Sequence, residues 1–124
     1  MSRSLENFRP KGLPDDGMMV DATDDPGHGG AHHRYTIDHE DNVVTAALGF
    51  VSFQNGPIQE VGVNGVQNEH LLAIVEDRLA CFQAGPFASS YNQEALIGVR
   101  DALAALHRRT ADRQARNVEG MNAP

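Results

Sequence analysis

The amino-acid sequence predicts an α+β fold: a small antiparallel β-sheet followed by a long antiparallel α-helical hairpin. Three observations predict it. Residues 34–38 alternate in polarity and are rich in strand formers, the pattern of a half-buried strand, and the largely apolar run 48–53 follows as a further strand. Two later runs, 64–83 and 91–117, carry apolar residues at helical spacing. Between those runs stands Ala84-Gly85-Pro86, a sequence that ends one helix before another begins.

Bulk properties narrow the class. The chain has 124 residues, a formal net charge of -7, a single cysteine and no tryptophan. Its length supports one modest core, built mostly from Leu, Ile, Val and Ala. No apolar run approaches the roughly 20 residues that span a bilayer, and MSRSLENFRPKG lacks the apolar segment of a signal peptide. One cysteine permits no intramolecular disulfide, which suits a reducing cytosol. The acidic balance argues against coating a nucleic-acid polymer; local basicity within it suits a small anion.

Taken in order, residues 1–32 are dominated by Gly, Pro and Asp. Such a segment buries too little to offset its ordering entropy and reads as a flexible acidic arm. His28, His32, His33 and His39 raise a zinc reading, but the Gly-rich spacing fixes no tetrahedral set, so solvated loop histidines are expected. Residues 33–63 form the sheet. After the strand at 34–38, His39-Glu40-Asp41-Asn42 makes a polar turn and residues 42–45 begin a second strand. In the run at 48–53, Phe50 and Ser52 share one face while Val51 and Phe53 share the other. Asn55-Gly56 is a hairpin signal, with Pro57 leading an edge strand over 58–61. A sheet this small needs a helix to lie on.

Residues 64–124 supply the hairpin and a short C-terminal tail, giving one folded domain over 33–120. Asn64 with Gln67 fits a capping box, and Asn68-Glu69 is an alternative start. Leu71, Val75, Leu79 and Phe82 form one apolar face. Ser90 with Gln93 opens the second helix, whose seam runs through Asn92, Leu96, Val99, Leu103, Leu106, Thr110 and Arg113. Gly98 lies on its outer side and costs about 1 kcal/mol relative to Ala unless a neighbour approaches closely. Gly120 is the expected terminator.

Chemistry concentrates at the two ends of this hairpin. Arg78, Phe82, Phe87 and Asn92 cluster at the bend, whereas Arg108, Arg109, Arg113 and Arg116 sit far down the second helix. Phe82 or Phe87 either caps the core or stacks on a base; Asn92 either reads an adenine edge or satisfies the bend's backbone. Arg109 and Arg113 are helix neighbours. They read either as a solvated basic end or as planar forks for phosphate, with Arg113 on the seam. Asn92 and Arg113 are 21 positions apart, roughly 30 Å along one helix. No mononucleotide or compact cyclic dinucleotide bridges that distance. A site using both ends therefore needs two chains packed antiparallel. No P-loop, GxGxxG, GxSxG, HExxH, acid-base pair or metal set is recognised, so no cofactor, metal or catalytic residue is assigned and the chain reads as a binder rather than an enzyme.

At these residues a resemblance emerges. Phe53-Gln54-Asn55-Gly56-Pro57-Ile58, Gly62-Val63-Asn64-Gly65-Val66, Arg78-Leu79, Phe82-Gln83 and Gly85-Pro86-Phe87-Ala88 resemble the phage anti-Thoeris signal-sponge family. The stretch from Arg109 to Gly120 resembles that family and the related phage anti-CBASS cyclic-nucleotide sponge. The likeness covers roughly residues 33–120. It implies a noncatalytic protein of the infected bacterial cytoplasm that sequesters glycocyclic ADP-ribose, the TIR-made signal of Thoeris, in pockets between subunits of a dimer or hexamer. By position it implies that Phe82 stacks the adenine, Asn92 hydrogen-bonds the ligand, and Arg109 with Arg113 holds the phosphates. Arg78, Phe87 and Arg116 are further candidates. Some members also bind cyclic di- or trinucleotides at separate sites. The chain departs from its relatives at Ser89-Ser90-Tyr91, where they commonly carry Cys-Arg-Glu before the Asn, and at Met121, where they tend to carry Thr. Two other readings stay open: an enzyme that degrades the signal, and a helical adaptor whose basic end binds nucleic acid or protein.

Overall fold

A computed structural model of the chain describes residues 3–5, 16–44 and 46–121. Four strands come first: β1 (Arg3–Ser4), β2 (Met18–Ala22), β3 (Arg34–His39) and β4 (Gly49–Ser52). A short α1 (Ile58–Val61) follows, then α2 (Asn68–Gln83) and α3 (Ser90–Ala115). The α+β class and the long helical hairpin are as predicted. The chain divides into two compact units, one of residues 1–56 with 61–66 and one of 57–60 with 67–124.

In the first unit the strands form an antiparallel meander in the order β1-β2-β3-β4. Its register pairs Val20 with Ile37, Ala22 with Tyr35, and Tyr35 with Val51. Directly paired residues share a face, so Val20, Ala22, Tyr35, Ile37 and Val51 line the apolar side. Phe53 joins that side through an edge-to-face contact with Tyr35, centroids 5.8 Å apart. Asp21, Thr36, Phe50 and Ser52 take the opposite face, the split predicted for residues 50–53.

The flexible arm predicted over 1–32 is corrected where the structure describes it. β2 is hydrogen-bonded on both sides, between β1 and β3. His28–Gly30 forms a 3-10 turn. Residues 1–2 and 6–15 of that expectation lie outside the described residues. The arm is held by Asp24, whose carboxylate accepts from the backbone N–H groups of His33 and Arg34 at 3.0–3.2 Å. His32 donates from Nδ1 to the Asp24 carbonyl at 2.6 Å. The histidines are not all solvated loop residues either: His33 is only 7 % exposed, and His39 lies in β3 with its ring on the Asp16 carbonyl. Among the described residues no three His, Cys, Asp or Glu side chains group to hold a metal ion.

The second strand expected from residue 42 is a bend and loop as far as residue 44, and Thr45 lies outside the described residues. The edge strand expected over 58–61 is the helical turn α1. Asn55 is the reason. Its backbone N–H and carbonyl are taken by the side chain of Asn64, at 2.8 and 2.7 Å. Gln54 ties the same loop by donating to the carbonyls of Gly56 and Gly62 and accepting from the Asn64 N–H. The ladder partner of this segment is residue 66: Phe53 and Val66 form an isolated parallel bridge. Gly65 makes that return feasible, because a Cβ there would overlap the Phe53 backbone carbonyl. With Asn64 so employed, α2 starts at Asn68, the alternative start, and His70 accepts the Gln67 N–H at 2.9 Å.

In the second unit α2 and α3 form the hairpin, with Leu96 as its buried hydrophobe. Ser89, one position before the expected Ser90, caps α3: its Oγ accepts the Asn92 N–H at 3.0 Å. α3 ends in a paired turn. Val118 N–H bonds the Arg113 carbonyl and Asn117 N–H bonds the Gln114 carbonyl, at 2.9 and 3.0 Å. Asn117 takes the left-handed φ of 58° that this ending requires. The chain continues to Gly120, whose φ is 77°. Among the described residues no helix is long and apolar enough to cross a membrane.

Candidate functional site

The bend brings together four of the expected residues. Gln83 closes it, donating to the Ser89 carbonyl at 3.0 Å and accepting the Ser89 N–H at 2.9 Å. Sequence reasoning missed this clamp, because a glutamine at a helix end carries no signal of its far partner. Inside the bend Phe82 and Phe87 meet edge to face, with centroids 6.4 Å apart. Phe82 is half-buried and Phe87 is 71 % exposed. Arg78, one turn before Phe82, holds its guanidinium carbon 5.0 Å from the Phe82 ring centre. Asn92 donates from its amide to the Phe87 carbonyl at 3.1 Å, so it does satisfy the bend's backbone; among the described residues its amide oxygen accepts nothing. Beside it Tyr91 stands 81 % exposed. The result is an open aromatic surface flanked by a cation and an amide.

The other end is different in kind. Arg108 and Arg109 are exposed and, among the described residues, make no ion pair. Arg116 is paired with Asp112 at 3.1 Å, the i,i+4 arrangement of a solvated helix face. Arg113 is only 5 % exposed. Its guanidinium donates to the carbonyls of Val118 and Met121, at 2.8 and 2.9 Å, and lies 3.4 Å from the Glu119 carboxylate. The seam position expected for Arg113 is therefore right, but the expectation that its side chain reaches from an exposed end is corrected: its own C-terminal turn covers it. Gln59 secures that turn, donating from its backbone to the Gly120 carbonyl and from its side chain to the Glu119 carbonyl, at 3.0 and 2.6 Å. Asp112 and Glu119 are the carboxylates the sequence offers to these arginines, and both pair there; the tie from Gln59, 60 positions before Glu119, carries no sequence signal.

Two aspartates of the first unit have acid strengths set by hydrogen bonding. Burial pulls Asp24 upward, but the N–H groups of His33 and Arg34 outweigh it and hold the carboxyl below its ordinary value. The Asn42 amide, with the His39 N–H, does the same for Asp38.

α3 is unbroken over 26 residues, about 39 Å of helix. The bend cluster and Arg109 thus sit near opposite ends of one rod. Within a single chain the structure brings Phe82, Phe87, Arg78 and Asn92 together, and leaves Arg109, Arg113 and Arg116 apart from them.

Two comparisons bear on this arrangement. Residues 49–111 match the family model described as Acb2/Tad1, hairpin domain. The chain is also similar to a protein of Bacillus phage SBSphiJ7 named Thoeris anti-defense 1, with 39 % identity over 111 residues. That match takes in 90 % of this chain and 72 % of the phage protein.

Proposed function

This chain belongs to the Acb2/Tad1 hairpin family of phage anti-defence proteins, and from that premise we propose that it blocks Thoeris immunity by binding glycocyclic ADP-ribose without degrading it. The long match to a phage Thoeris anti-defence protein is the observation that carries the class. The protein works in the cytoplasm of the infected bacterium, where the signal is made.

The pocket lies between two copies of the chain. One copy supplies the bend, where Phe82 stacks the adenine and Asn92 offers its amide oxygen to the base. The other supplies the distal cations. Arg109, exposed and unpaired among the described residues, takes the phosphates directly. Arg113 contributes through the order it imposes on the C-terminal turn, and reaches phosphate itself only by exchanging the carbonyls it now holds. The unbroken length of α3 supports the two-chain arrangement, since one compact ligand cannot reach both ends of the same rod. Cyclic di- and trinucleotides belong to separate sites of the same assembly.

The test is recovery of the ligand. Protein is incubated with glycocyclic ADP-ribose, separated from free signal, and heat-denatured. Intact signal should return to solution. Recovery of only a hydrolysed product would make the protein an enzyme, and steeply salt-dependent binding of generic polyanions in place of the signal would favour an adaptor.

A further inference from the structure

We infer that Arg78 is a specificity-determining residue of the bend: its guanidinium covers the outer face of the bound base, making a layered ring–base–guanidinium stack with Phe82. This rests on the reading of the bend as a nucleotide site and adds a residue to it. Arg78 differs from the other arginines around it. Arg100 lies 4.0 Å from Glu76, Arg113 bonds its own turn, and Arg116 pairs with Asp112. Arg78 makes no hydrogen bond or ion pair among the described residues; its recorded partner is the Phe82 ring. A planar cation with unspent donors therefore rests on the ring assigned to stacking.

The distance says what happens when a base arrives. Two stacked layers need about 3.5–4 Å between each pair of planes, more room than the present 5.0 Å between Arg78 and the ring centre allows. Arg78 is exposed, so the face it covers is reachable from solvent and its flexible stem can swing outward. The guanidinium then exchanges one π-face for another. Stacking leaves its in-plane N–H groups at the rim of the base, where they meet the adjoining phosphate. Lysine keeps the charge but not the plane, and so separates stacking from simple attraction.

Arg78→Lys and Arg78→Ala, in the full chain, are titrated calorimetrically with glycocyclic ADP-ribose, with the ultraviolet hypochromism of bound adenine read in parallel. Expected are losses of affinity of about tenfold or more in both variants, a smaller hypochromism, and a melting temperature equal to that of the wild type, because Arg78 is exposed. Wild-type affinity in Arg78→Lys overturns the inference while leaving the proposed function standing. An affinity loss that tracks a lowered melting temperature assigns Arg78 to the fold and also overturns it. If the unaltered protein takes up no signal, both readings fall.

Discussion

Arg109 and Arg113 are one helical turn apart and chemically identical, yet burial separates their roles. Arg113 is enclosed by the turn whose carbonyls it holds, so truncating it leaves those acceptors and Glu119 without their cation. Charged hydrogen bonds of this kind are worth about 1.5–3 kcal/mol each when lost with a partner left behind. Arg113→Ala should therefore lower unfolding free energy by about 2–4 kcal/mol in denaturant titrations. Arg109→Ala should change stability by less than about 0.5 kcal/mol while abolishing signal binding. Equal stability of the two variants would contradict the burial argument. A second consequence concerns acid. Asp24 and Asp38 are held below the ordinary carboxylate value of 3.8, so the stability they add is present above that value and is lost as pH falls through their folded values. Melting temperature should drop below about pH 4, and Asp24→Asn should blunt the drop.

At the scale of the element, α3 is longer than packing on α2 requires, with 26 residues against 16. Its middle contains Gly98, and a Cβ built there meets nothing within 4 Å. Among the described residues no close approach explains this glycine. Gly98→Ala should thus stabilise the hairpin by about 1 kcal/mol, the helical cost of glycine, as read by thermal melting at concentrations too low for assembly. At higher concentration the same methyl tests for a neighbouring chain: a stabilised hairpin with weakened self-association would place a partner's helix against Gly98.

Viewed as a whole, the described residues contain only two buried hydrophobes, Ala22 and Leu96. Large apolar side chains such as Phe50, Ile74, Phe87, Tyr91 and Ile97 remain exposed. A lone chain of this kind stabilises itself weakly, and association would bury more. The proposed two-chain pocket makes a sharper demand than size alone. In a homodimer built that way, Phe82→Leu and Arg109→Ala would each remove one half of every pocket. Mixed and reassembled, the two inactive variants should recover about a quarter of the wild-type capacity, because half the dimers are mixed and each mixed dimer keeps one intact pocket. Calorimetry on the mixture would show it. No recovery would mean that ring and cation act within one chain.

What the sequence by itself determined was local. The alternation around residue 36 became β3, Ala84-Gly85-Pro86 separated the helices, and the seam from Asn92 to Arg113 became one continuous α3. Periodicity and restricted backbone angles act within a few residues, so they are readable there. The distant pairings were decided by tertiary structure. β2 is a strand because β1 and β3 take its hydrogen bonds, although Met18–Ala22 is short and set among Gly, Pro and Asp. Residues 58–61 are a helical turn because Asn64 occupies the backbone of Asn55. Arg113 is buried because Val118, Met121 and Glu119 fold back over it. In each case the deciding partner is a hydrogen-bonding group brought near by the fold, and no local periodicity records where such a group will lie.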